Sequence, residues 1–476
     1  MKRHFISIAA LFLISCVMIG CGKTAATEQE ENTMTPEPQT TFALNTDTSE
    51  YLFKNDLGIT GIGDPYVLKT DQGYYMYCTS AADGYYCWHS DDLVNWTDKK
   101  MCYTKTEDSW CVESFWAPEV VFENGTYYMY YTAKNKDGGL RIGLATSDKP
   151  DGPFTDPVNQ PLFDFGYSAI DANILIDDDG KKYMYYSRDC SENIVDHVRT
   201  SQIYGVELTS DMTALAGEPV LLLTPEQDWE KVSESPLWNE GPEIIKHNDT
   251  YYLTYSANFY ASISYSVGYA TSESPLGTFV KAEENPILTS GFRQDVSGPG
   301  HHSFTVSPDG SQLWIAYHSH SNPLSPSGDR KVNIDRAVFT DDGKLFMCGP
   351  NTVSQPLPSG NVISDITTAF TCSTDSRLTD GIHTTNKNQK DHETVLTPDE
   401  TGKVTVSLTS PDVQTISAVA VWPGVKALSN IQSISLILDN QKCSDEKMID
   451  ADVSGPVMLT FVPCEASSVQ VVLTVN

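Results

Sequence analysis

The sequence predicts an all-β chain, a five-bladed β-propeller followed by a smaller β-sandwich domain, and three observations carry that prediction. Five short aromatic strands recur, centred on Met76, Met129, Met184, Leu253 and Ile315, at spacings of 53, 55, 69 and 62 residues. Each follows a second apolar strand and a turn: Asp64–Gln72, Ala117–Asn124, Asp171–Asp179, Glu240–Asn248 and His301–Asp309. Apolar and polar positions alternate, Gly and Asp mark the turns, and few stretches could form long helices, which favours strands. Gaps of this length hold about four strands, and a ring of four-stranded units protects its sheet edges by radial repetition. A β-sandwich array is the rival arrangement.

The elements follow in chain order. Residues 1–20 hold a basic start, Lys2 and Arg3, and an apolar run from Phe5 to Ile19. That run is short for a membrane span and suits an export signal. Its end, Val17-Met18-Ile19-Gly20-Cys21, resembles the lipobox of bacterial lipoproteins, with Cys21 as the lipidated residue. The resemblance implies an exported protein held at a membrane by its lipid alone. Residues 21–50, rich in Thr, Glu, Pro, Gln and Asn, read as a flexible tether. Residues 51–355 hold the propeller, and a Pro-, Ser- and Asn-rich stretch from Pro350 to Gly360 marks its end. Residues 361–476 alternate as a sandwich. There Leu378-Thr379-Asp380-Gly381 is similar to an element of discoidin-like, galactose-binding modules, so that domain is either a carbohydrate-binding module or a structural appendage.

Composition narrows the partners. The 476 residues carry 63 Asp and Glu against 31 Lys and Arg, a net charge of −32, which repels phosphate backbones and excludes nucleic acid. Of 11 cysteines, Cys16 leaves with the signal and Cys21 takes lipid, so an odd number remains and at least one thiol is free or paired between chains. Cys78, Cys87, Cys102 and Cys111 lack paired C-x-x-C spacing, which argues against zinc.

Counting back from the central residue of each aromatic strand locates the chemistry. Asp64 lies 12 residues before Met76, Asp171 lies 13 before Met184, Glu240 lies 13 before Leu253, and Trp116 lies 13 before Met129. In the fifth unit His302 lies 13 and His301 14 before Ile315. The first strand of each propeller blade lines the axis, so these positions converge on one mouth. Each residue alone could be a turn or core residue. Three carboxylates at one repeat position persist mainly where proton chemistry or a cation uses them.

The same residues resemble glycoside hydrolase family 43. Gly63-Asp64-Pro65-Tyr66-Val67 is similar to its catalytic-base motif and Trp116-Ala117-Pro118-Glu119-Val120 to its W-A-P-E-V signature. Ile170-Asp171 matches its second acidic motif, Glu240-Gly241-Pro242-Glu243 its catalytic-acid motif, and Gly300-His301-His302-Ser303 its G-H-x-S segment. The resemblance covers roughly residues 55–350. It implies Asp64 as general base, Glu240 as general acid, and Asp171 as the residue that tunes and orients the acid. It places Trp116 beside the sugar, and Arg330 on the sugar and the acidic cluster. It implies no cofactor for the chemistry, and His301 as ligand of an axial ion, usually calcium, held largely through waters.

The expected activity is an inverting, exo-acting α-L-arabinofuranosidase or β-xylosidase on arabinan, arabinoxylan or xylo-oligosaccharides, with an endo-arabinanase as alternative. Inversion needs an acid and a base about 6.5–9.5 Å apart across the scissile bond, a gap that blades at different angles can supply. A fructan-type retaining hydrolase would need an N-D-P-N-G motif, whereas Gly61 to Tyr66 reads Gly-Ile-Gly-Asp-Pro-Tyr. A non-catalytic, glycan-capturing lipoprotein would normally have lost an acid, and all three are present.

Overall fold

The computed structural model describes residues 6–15 as backbone only, and 40–291, 295–383, 392–424, 430–449 and 455–475 with side chains. Cys21 lies outside the described residues. Five antiparallel sheets succeed one another in strict chain order, and each is a meander; in blade 3 a small hairpin, Ile194–Val195 paired with Val198–Arg199, is inserted between the second and third strands. Blade 1 starts with Gly63–Thr70, blade 2 with Cys111–Glu123, blade 3 with Ala169–Ile176, blade 4 with Asn239–His247 and blade 5 with Gly300–Val306. The tyrosine-rich strands lie second in every blade, as the repeat predicts.

Blade 2 departs from the expectation of four strands. It has three, and its outer edge is marked only by a bridge between Thr146 and Thr155. Pro150, Pro153 and Pro157 punctuate that stretch, and residues without an amide hydrogen cannot sustain a ladder.

The apolar cores lie between blades. One cluster fills each junction; that between blades 2 and 3 joins Val121, Tyr130 and Ile142 to Ala172, Met184 and Val206. Fully burying such a side chain contributes about 1.5–3 kcal/mol. A buried tyrosine must also satisfy its hydroxyl. Tyr77, Tyr130 and Tyr185 hold equivalent places in blades 1, 2 and 3, and each donates to a carbonyl of the next blade: Pro150, Met212 and Pro275, at 2.6, 2.7 and 2.8 Å. The aromatic repeat is therefore a set of rivets between blades.

The ring closes where its ends meet on blade 5. Leu52–Lys54 pairs with Ser354–Pro356, and Asn55 then docks beside the third strand of blade 5, Arg330–Phe339. Its side chain accepts from Ile334 N at 2.8 Å and donates to Asn351 O at 3.0 Å.

The C-terminal strands form a sandwich around Leu408, Val419, Leu436, Leu459 and Val471. Its two longest strands, Lys403–Pro423 and Val457–Val475, run antiparallel. The tether is shorter than its expected limit of residue 50, because Thr40–Phe42 already pairs, in parallel, with Lys442–Ser444 of this domain. Ile6–Ser15, inside the stretch read as an export signal, pairs antiparallel with the first of the two long strands. The Leu378–Gly381 element is a corner: Leu378 is buried in the core, Asp380 accepts from Ile382 N at 2.8 Å, and Gly381 has φ of 78°.

Candidate active site

In all five blades the innermost strand pairs with its neighbour, skips two residues, and resumes. The ladder breaks between Gly63 and Tyr66, Trp116 and Glu119, Ile170 and Asn173, Glu240 and Glu243, and Gly300 and Ser303. The first skipped residue is always left-handed: φ is 57° at Asp64, 39° at Ala117, 58° at Asp171, 55° at Gly241 and 42° at His301. Such bulges re-aim side chains. Here they turn one residue per blade toward the axis.

This ladder corrects the register read from sequence. Counting back from the aromatic strands runs through hairpin turns of unequal length, whereas strand pairing does not. The equivalent ring is Asp64, Ala117, Asp171, Gly241 and His301, so Trp116 and Glu240 each stand one residue earlier. His301, not the His302 that the count favours, belongs to the ring.

Each bulge places a backbone N–H on the preceding blade. Ala117 N donates to Thr79 Oγ1 at 2.8 Å, Asp171 N to Thr132 Oγ1 at 3.0 Å, His301 N to Ser256 Oγ at 2.8 Å, and Asp64 N to His318 Nδ1 at 3.1 Å. These acceptors are equivalent residues of the second strands. Ser187 holds that place in blade 3, but there Gly241 N donates to Asp171 Oδ2 at 3.1 Å, and Ser187 Oγ donates to the same oxygen at 3.3 Å. The one break in the pattern thus sets a carboxylate beside the residue that follows Glu240.

Asp64, Asp171, Glu240, Trp116, Arg330 and His301 all line one cavity of roughly 250 Å³. Sequence reasoning missed Asp189, Trp238, Phe259, Tyr260 and Tyr265, which complete its wall. None of these lies on a first strand at a repeat-equivalent place, so the periodicity carried no signal for them. The aromatic residues form a rim: Trp238 and Phe259 have ring centroids 5.6 Å apart, and Arg330 lies 4.8 Å from the Tyr260 ring centroid. Trp116 stays 39% exposed at the mouth. From there an open groove of roughly 670 Å³ continues over blades 1 and 2, sharing Trp116 and Arg330 with the cavity.

The carboxylates differ because their neighbours differ. Asp64 is buried, which by itself raises its pKa, but Arg330, His301 and His318 together outweigh burial and hold it well below the usual range. Arg330 Nη1 donates to Asp64 Oδ1 at 2.8 Å, and Thr79 Oγ1 to Oδ2 at 2.5 Å. Gly63 makes room for that guanidinium, since a Cβ there would lie 2.1 Å from Arg330 Cζ. Burial and the neighbouring Asp171 push Glu240 well above its usual range, against the donation of Tyr265 Oη to its Oε1 at 3.0 Å. Asp171 is pushed up to about 6, mainly by burial, with His301 opposing. Across one cavity, then, Asp64 is held as an anion and Glu240 as a neutral acid.

Behind this cavity a second ring, two residues further along each first strand, closes the axis. Asn173 Nδ2 donates to Glu119 Oε2 at 2.8 Å and to Glu243 Oε2 at 2.6 Å. Ile174 N donates to Glu119 Oε1 at 2.8 Å and Phe304 N to Glu243 Oε1 at 3.3 Å. The axial space there is roughly 20 Å³, room for about one water.

Comparison with known proteins agrees with this geometry. The model of glycosyl hydrolases family 43 matches residues 54–345. The crystal structure of a thermostable family-43 glycoside hydrolase is 51% identical and superimposes with a TM-score of 0.63, covering 65% of this chain and all of that one. A β-D-galactofuranosidase of Aspergillus niger is 29% identical over 322 residues, which are 64% of this chain and 87% of the relative. A xylosidase/arabinosidase of Humicola insolens is 30% identical over 271 residues, 51% and 77% of the two chains. With the matched stretch spanning the whole propeller and its five bulges, the chain belongs to glycosyl hydrolases family 43.

Proposed function

We propose that the protein is an inverting, exo-acting hydrolase that releases single terminal sugars, an α-L-arabinofuranosidase or β-xylosidase on arabinan, arabinoxylan or xylo-oligosaccharides. The observation that carries this reading is the pairing, across one cavity of roughly 250 Å³, of an anionic Asp64 with a protonated Glu240. Asp64 takes a proton from a water, which attacks the anomeric carbon. Glu240 gives its proton to the departing glycosidic oxygen on the other face. Asp171 keeps Glu240 protonated and holds the chain beside it through Gly241 N. Trp116 offers the sugar a flat apolar wall, and Arg330 keeps Asp64 ionised. The cavity suits one sugar, and the adjoining groove suits the rest of the glycan. An endo-acting enzyme would need an open cleft on both sides of the scissile bond.

A second reading has its own support. The Aspergillus relative is named a β-D-galactofuranosidase, and a β-D-galactofuranoside shares its ring configuration with an α-L-arabinofuranoside, differing in the exocyclic carbon. Incubation with the p-nitrophenyl α-L-arabinofuranoside, β-D-xyloside and β-D-galactofuranoside separates the readings. Release from the first or second supports the pentosidase, and release from the third alone favours the hexofuranosidase. Binding of oligosaccharides with no release from chromogenic substrates or arabinoxylan would leave a capture protein.

Among the described residues no group of three or more His, Cys, Asp and Glu side chains is arranged to hold an ion directly. The oxygens of Glu119 and Glu243 already accept hydrogen bonds, so an axial calcium beside His301 would take most of its six to eight oxygen ligands from water. His301 directs Nδ1 at Asp64 Oδ1, 3.3 Å away.

Export and lipid anchoring at Cys21 belong to the same proposal. They rest on the basic start, the apolar run and the lipobox resemblance; Ile6–Ser15 would leave its place in the sheet with the cleaved signal. Cells fed labelled palmitate should label the wild-type protein and not Cys21→Ala, and equal labelling overturns the assignment.

A further inference from the structure

Two buried side chains connect the base to the acid, and neither lies in a repeat-equivalent acidic position. Tyr265 and His318 are both 0% exposed. Their rings stack with centroids 5.5 Å apart and planes only 4° from parallel. The tyrosine hydroxyl donates to Glu240 Oε1 at 3.0 Å, while the imidazole Nδ1 accepts from Asp64 N at 3.1 Å. His318 fills the place that Thr79, Thr132, Ser187 and Ser256 fill in the other blades. A hydroxyl would suffice to accept a bulge N–H, as it does at three of those places, so the larger ring adds something: a flat plate.

The surroundings are shaped for that plate. Gly300 pairs directly with His318, and a Cβ at Gly300 would lie 2.4 Å from Tyr265 Cε1. A side chain at residue 300 would therefore push the tyrosine off its seat. Nδ1 also lies 3.3 Å from Asp64 Oδ1, while the buried Nε2 has no hydrogen-bond partner. Burial and Arg330 keep the ring neutral by pulling its pKa down to about 3.

The geometry points to Tyr265 as the positioning residue of the acid: its hydroxyl engages Glu240 Oε1, so that the proton for the leaving group sits on Oε2, and His318 locks the tyrosine and the backbone of Asp64 to one support. This rests on the reading of Glu240 as general acid. In the reaction the Oε2 proton passes to the glycosidic oxygen as the bond to the anomeric carbon breaks, and Asp64 gains the proton of the attacking water. Tyr265 keeps its own proton, since burial and then Glu240 push its pKa well above the usual value.

Tyr265→Phe keeps the stacked ring and removes only the hydroxyl. Acid assistance matters when the leaving group is poor, and a positioned acid contributes about 10²–10⁴-fold. For Tyr265→Phe, kcat on an unactivated glycan should fall about 10- to 100-fold, a part of that total, while kcat on the 2,4-dinitrophenyl glycoside of the same sugar stays within about threefold and KM is unchanged. The alkaline limb of the kcat profile should move to higher pH, because the lost donor favoured the ionised form of Glu240; Asp171, Asp189 and Asp64 are the other charges bearing on that acid. Gly300→Ala, which displaces the ring, should reproduce the leaving-group pattern. An equal loss on both substrates, a change in KM alone, or no change in either variant would overturn the assignment. Glu240→Gln on the same two substrates tests the underlying reading by itself: if it shows no leaving-group dependence, Glu240 is not the acid, whatever Tyr265 does.

Discussion

Asp171 differs from Asp64 only in company, and the difference assigns their work. Arg330 donates to Asp64, whereas Asp171, pushed up mainly by burial, raises the pKa of Glu240 beside it. Asp171→Asn removes the anion and keeps an oxygen for Gly241 N. In the proposed mechanism Glu240 works protonated, that is below its pKa, so activity should fall as pH rises through that value. Removing the anion lowers the value, and the alkaline limb of kcat should shift to lower pH, with kcat at neutral pH reduced by about 10²-fold or more. A pH–rate profile of the variant checks it; an unmoved limb would remove Asp171 from the acid's electrostatics. At this scale the sequence exposed the three carboxylates, Trp116, Arg330 and His301, because they sit on or beside a repeating strand or within a family motif. Tyr265, Asp189 and Trp238 stayed hidden, since each lies on a strand end or loop that differs from blade to blade.

The bulged first strand is the element that makes the site, and its support behind blade 4 can be tested. Asn239, immediately before Glu240, turns its side chain away from the cavity and accepts from Lys281 Nζ at 3.0 Å. Lys281 lies on the short outer strand Val280–Lys281 and donates to Glu230 Oε1 at 2.5 Å, with side chains 2% and 0% exposed. Asn239 Nδ2 closes the triangle on Glu230 Oε1 at 3.0 Å. A buried ion pair adds little net stability while whole, but removing one partner strands a charge at a cost of about 3–5 kcal/mol. Lys281→Met should lower the denaturation midpoint accordingly, and Lys281→Met with Glu230→Gln should recover part of the loss. Equal stability of single and double variants would mean that Glu230 is not left uncompensated. Residue patterns showed where blade 4 begins but not this triangle, because its members are 51, 42 and 9 residues apart in sequence. Blade 2 was misjudged for a related reason: its spacing fits four strands, and only its prolines betray that the last is missing.

At the scale of the whole molecule the ring is a chain of five equivalent junctions, four made between sequential blades and one made by closure, and the closing junction carries Asp64, the proposed base. Asp64 opens blade 1 and Arg330 opens the third strand of blade 5, so their ion pair spans the seam. Gly61 N donates to Arg330 O at 2.9 Å and Val332 N to Ile59 O at 3.1 Å, while Asn55 pins the segment beneath them. The ring and its sandwich were legible in the sequence, because aromatic strands recur at propeller spacing and alternation continues after them. The seam was not, because it joins residues about 280 positions apart, with Asn55 at its centre and no repeat to mark it. Asn55→Ala would leave Ile334 N and Asn351 O buried without their present partner, at about 1–3 kcal/mol each. Its midpoint in denaturant should drop by an amount equivalent to about 2–6 kcal/mol, with the loss distributed over the whole propeller transition. Below that transition kcat should hold, since the Arg330–Asp64 pair itself remains. A separate early transition confined to blades 1 and 5 would show instead that the ring unzips from its seam.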